Sequence, residues 1–78
     1  MSLLVLDFIL NNMRIWLSEN EKRQLYNELI SYFGIVGAMN ECKILEDAWR
    51  DPFYRYEIEN FIKSWLRKRR KETIEIYR

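Results

Sequence analysis

The sequence predicts an all-α fold: a compact bundle of about four short helices, which homodimerisation can complete. Apolar residues recur three and four positions apart through nearly the whole chain, the period of a helix with one buried face. Gly34, Gly37 and the Asp51-Pro52 pair stand where helices end and begin. The chain has 78 residues, 49% of them hydrophobic, which fits one small domain over 1–78 and is too apolar for a disordered segment.

The first helix is read from its polar residues. Asp7, Asn11, Arg14 and Ser18 recur at helical spacing and form one narrow stripe. Leu3, Leu4, Leu6, Phe8, Ile9, Leu10, Met13, Ile15, Trp16 and Leu17 occupy most of the remaining circumference. A helix this apolar belongs in the middle of a bundle or in an oligomer interface. A buried strand over residues 3–10 is the competing reading, because periodicity separates the two poorly over eight positions. Ser18 and Glu21 then match a capping box, in which each side chain satisfies a backbone N–H of the first turn. The helix they open carries Leu25, Tyr26, Leu29, Ile30 and Phe33 and stops at Gly34, a residue that takes the left-handed conformation cheaply.

Ile35, Ala38, Cys42, Leu45 and Trp49 make an alternating three–four seam on a third helix. Asp51 is a good N-cap and Pro52 a good first helical residue. The helix they open, about 18 residues long, turns Tyr54, Ile58, Phe61, Ile62, Trp65 and Leu66 to one side. The tail Thr73–Tyr77 alternates polar and apolar residues, the pattern of a short strand, but Ile76 also extends the helical stripe, so 72–78 reads either as a helical continuation or as a frayed end.

Charge is segregated. Residues 1–62 hold six Lys or Arg against ten Asp or Glu, whereas 63–71 hold six bases and no acid. The net charge of +1 therefore conceals an acidic body joined to a basic end. On the last helix Tyr56, Asn60, Lys63, Arg67, Arg70 and Lys71 share one flank, where cations can reach successive phosphates and a tyrosine can stack on a base. The same cations also complement the negative end of a helix dipole. A helix-turn-helix about Gly34 is not expected to read DNA. Its second helix would present Glu41, Glu46 and Asp47 against Lys43 alone, and phosphates repel such a surface.

The composition excludes much chemistry. Without histidine and with one cysteine, the chain lacks imidazole acid–base catalysis, His/Cys zinc sites and internal disulfides. Cys42 lies on the apolar seam with no base to activate it, and Ser64 faces only Lys68, which stays protonated when exposed. The neighbouring acids Glu19/Glu21, Glu46/Asp47 and Glu57/Glu59 do not face one another on a helix. No catalytic, metal or cofactor-binding residue is therefore assigned. No apolar stretch approaches the roughly 20 residues of a membrane span, no secretory signal is evident, and a reducing cytoplasm is the expected compartment.

What remains is recognition. Twelve aromatic side chains, 15% of the residues, are hard to hide in a domain this small. Trp16, Trp49, Phe53 and Tyr54 are the expected protein-interface anchors, the last three clustered at the corner between helices three and four. The expected function is a non-enzymatic interaction or regulatory module that binds a protein partner or a second copy of itself. The alternative is a nucleic-acid-binding accessory protein using the basic flank. Neither involves a small-molecule substrate.

Overall fold

A computed structural model describes residues 3–37 and 39–76, with side chains as far as Arg69. Four helices appear in order, α1 (Leu4–Met13), α2 (Glu19–Tyr32), α3 (Glu41–Arg50) and α4 (Pro52–Ile76), and the described residues contain no strand. Residues 4–10 are thus helical rather than extended. The bundle is all-α, with α4 packed against both α2 and α3, and α1 against α3. At 1.5 Å per residue, the 25 residues of α4 extend about 37 Å, most of the molecule's 43 Å long axis.

The core takes one stripe from each helix. Leu6, Ile9 and Leu10 of α1 meet Leu45 and Trp49 of α3, and Leu25, Tyr26, Leu29 and Ile30 of α2 join Ile58, Ile62 and Trp65 of α4 in a single buried cluster. Spacings of three and four bring these residues to one side of each helix. Among the described residues, no polar or charged side chain is buried.

Local chemistry explains most boundaries. Ser18 opens α2 with a complete capping box: its hydroxyl accepts from the Glu21 N–H at 3.3 Å, and Glu21 Oε1 accepts from the Ser18 N–H at 2.9 Å. Asp51 caps α4 by accepting from the Phe53 N–H at 2.9 Å. Gly34, at φ +69°, closes α2. Its N–H donates to the Ser31 carbonyl and that of Ile35 to the Ile30 carbonyl, the paired bonds of a Schellman motif.

Two boundaries differ from expectation, and a third decides between two readings left open. First, α1 stops at Met13 instead of running through Trp16. Arg14 takes the left-handed conformation at φ 58°, ψ 44°, and the N–H groups of Arg14 and Ile15 close a second Schellman pair on Asn11 and Leu10. Residues 15–18 are a connection, and the Trp16 side chain stands in solvent at 86% exposure. Second, α3 begins at Glu41 and not near Ile35. Ile35 is still buried, held there by turns through Gly34 and Gly37, the latter at φ +82°. The Glu41 carboxylate secures this connection, accepting from the Tyr26 hydroxyl at 3.0 Å and the Gly37 N–H at 3.3 Å. Third, α4 continues to Ile76, so residues 72–76 extend the helix. Residues 77–78 lie outside the described residues.

Two substitutions test this account. A left-handed non-glycine residue costs on the order of 1 kcal/mol, partly offset by the greater unfolded-state entropy of glycine. Arg14→Gly should therefore raise stability by about 0.5–1 kcal/mol in urea titration. Trp49 is only 5% exposed, and removing a ring of that size from a core costs about 3–5 kcal/mol. Circular dichroism of Trp49→Ala should show an unfolded or strongly destabilised chain.

Candidate functional site

A groove of about 670 Å³ lies between α2 and α4. Its α2 wall consists of Glu28 and Tyr32, one helical turn apart. From α4 come Phe53, Tyr56, Glu57, Asn60, Phe61, Ser64, Trp65 and Lys68, a stripe of four turns beside the buried seam. Tyr32 and Phe61 pack across the groove with ring centroids 4.8 Å apart, and Tyr32 also meets Phe33 edge-to-face at 5.0 Å. The two elements enter the groove at similar height because Leu29 of α2 and Ile58 and Ile62 of α4 share the core behind it.

A polar clamp fixes the groove's lower end. The Trp65 indole N–H donates to Glu28 Oε2 at 2.8 Å, and the Arg69 guanidinium lies over the Trp65 ring at 4.8 Å. Arg69 also donates to Gln24 Oε1 at 3.1 Å and pairs with Glu21 at 3.2 Å. Glu21 thus joins the start of α2 to α4 as well as closing its own capping box. Its carboxyl is held below the ordinary glutamate value, first by the hydrogen bonds from Ser18 and then by Arg69. A comparable tie joins α1 to α2: Lys22 bonds Asp7 at 2.9 Å and Glu19 at 3.0 Å, and these bonds raise the ammonium's pKa. Burial pushes the Tyr26 hydroxyl up, and its bond to Glu41 adds to the shift. These groups are fully engaged in holding helices together.

The residues expected to form one aromatic patch are distributed differently. Phe53, 65% exposed, lines the α2–α4 groove. Its neighbour Tyr54 lines a second, 420 Å³ hollow with Phe33, Ile35, Ile44 and Ala48, although the two rings touch edge-to-face at 5.4 Å. Trp49 does not join them at the surface. It belongs to the core, and the Arg55 guanidinium covers its ring at 4.3 Å, which corrects its assignment as a surface anchor. Trp16 is exposed on the α1–α2 connection.

The basic flank is partly as expected. Tyr56, Asn60, Lys63 and Arg67 are all exposed on α4, and Arg67 rests on the Ser64 hydroxyl at 3.3 Å. The side chains of Arg70 and Lys71 lie outside the described residues. Tyr32, Phe61, Glu28 and the Arg69 clamp escaped the sequence reading. The spacing of Glu28 and Tyr32 puts both on one α2 face, but no local signal tells which α4 face lies opposite.

Among the described residues no group of His, Cys, Asp and Glu side chains is arranged to hold a metal ion, and none of their buried side-chain polar atoms lacks a hydrogen-bond partner. No described helix is long and apolar enough to cross a membrane. No family model, curated protein or solved structure matches the chain.

The lowered pKa of Glu21 has a signed consequence. A carboxyl depressed in the folded state stabilises above its unfolded pKa of about 4.3 and loses that contribution as pH falls through the folded value. The urea midpoint of the wild type should therefore drop more steeply below about pH 4 than that of Glu21→Gln, which has no such proton to bind.

Proposed function

We propose that this chain is a non-enzymatic helical interaction module that acts by binding protein, with the α2–α4 groove as its contact surface. The observation that carries this is the aromatic lining left in solvent: Tyr32, Phe53 and Tyr56 are each more than 60% exposed. Contiguous apolar surface of this kind, rimmed by charge, is typical of protein-binding sites. Exposed Tyr and Phe supply large contact area at little entropic cost, and Glu57 and Lys68 at the rim would help orient the partner. Tyr54 and Trp16 are further exposed rings outside the groove. A reducing, cytoplasmic setting suits a chain whose only cysteine is half-buried Cys42.

A second reading, an accessory protein for nucleic acid, is favoured by the shared flank of Tyr56, Asn60, Lys63 and Arg67. Its cationic surface is smaller than the count of bases in 63–71, since Arg69 is committed to Glu21, Gln24 and Trp65. Glu28 and Glu57 in the adjoining groove also oppose phosphate binding.

The test is a Phe53→Ser/Tyr56→Ser double variant. Both rings are outside the core, so circular dichroism and the urea midpoint should stay close to wild type. The wild type should purify in a protein assembly heavier than 9.7 kDa, and the double variant should elute alone at that mass. A wild type that elutes alone, or an assembly dispersed by nuclease, defeats the proposal.

A further inference from the structure

The α4 side of the groove carries a pattern that fits one occupant. Phe53, Glu57, Asn60, Ser64 and Arg67 recur four, three, four and three positions apart, the spacing with which one helix seats along another. The first four line the groove, and Arg67 lies at its edge with its guanidinium on Ser64. The two ends of this strip differ in character. Phe53, Tyr56 and Glu57 make the upstream end aromatic and acidic, whereas Arg67 and Lys68 make the downstream end cationic. A strip of this kind is complementary to itself when turned end for end.

Building on the protein-binding reading above, we infer that the groove is filled by a second copy of this chain, with the two α4 helices antiparallel across a two-fold axis level with Ile62. Such an axis pairs positions equally far on either side of it, and each pair forms twice. Asn60 then meets the partner's Ser64, two small polar residues at the point of closest approach. Glu57 meets the partner's Arg67 as an ion pair, and Tyr56 meets the partner's Lys68, a ring facing a cation. Parallel α4 helices would set Glu57 against Glu57 and Arg67 against Arg67, so charge selects the antiparallel arrangement. The same geometry places each α4 in the α2–α4 groove of the other copy. Tyr32, 61% exposed, and Tyr56, 66% exposed, would be covered in a four-helix layer.

Sedimentation equilibrium on the full chain tests this. The wild type should sediment at twice 9.7 kDa. Glu57→Arg and Arg67→Glu each set like charges together at two symmetric places, and each should weaken association about tenfold. The double variant Glu57→Arg/Arg67→Glu restores opposite charges and should regain the wild-type constant, which neither a folding defect nor loss of a single contact would produce. A wild type that stays at 9.7 kDa at millimolar concentration overturns the inference, as do single variants that associate normally or a double variant no tighter than the singles. If that monomeric wild type still holds a different protein through Phe53 and Tyr56, the dimer is excluded and the protein-binding reading stands. If its assembly disperses with nuclease, both are excluded.

Discussion

The structure depends on the seam Ile58, Ile62 and Trp65 of α4. Ile58 and Ile62 are completely buried and Trp65 nearly so, and α4 packs against both α2 and α3. Burying such side chains contributes roughly 1.5–3 kcal/mol each, a large share of the net stability of any small domain. The seam also sets the rotation of α4 about its axis. Once Ile58 and Ile62 point inward, Phe53, Tyr56, Asn60 and Ser64 must flank the groove and Lys63 and Arg67 must face water.

Rotation alone does not hold a long helix in register. The Trp65–Glu28 bond and the contacts of Arg69 with Glu21 and Gln24 tie α4 to α2 at a defined height. These three α2–α4 bonds join residues 37 to 48 positions apart, so a slip of one turn between the helices would break all three at once. The groove is thus tied at its lower end, with its aromatic walls above.

Size explains why aromatic rings remain outside. A domain of about 80 residues buries only around 60% of the surface its unfolded chain exposes. Four helices of this length enclose one cluster, and the interior is filled once Tyr26, Trp49 and Trp65 have entered it. Phe53, Tyr54 and Tyr56 sit in the first two turns of α4, and all three rings are exposed.

Residue types and spacing were enough to determine the helical class, the Ser18 and Asp51 caps, the stop at Gly34, and the division of α4 into apolar and cationic flanks. All of these rest on contacts within a turn or two, where neighbours along the chain are also neighbours in space. Tertiary structure alone decided that α1 would end on a strained Arg14, that Arg55 would roof Trp49, that Arg69 would clamp α4 to α2, and that Tyr32 would face Phe61. Each of these depends on what stands opposite, and one strand of text carries the period of a helix but not the identity of the surface it meets.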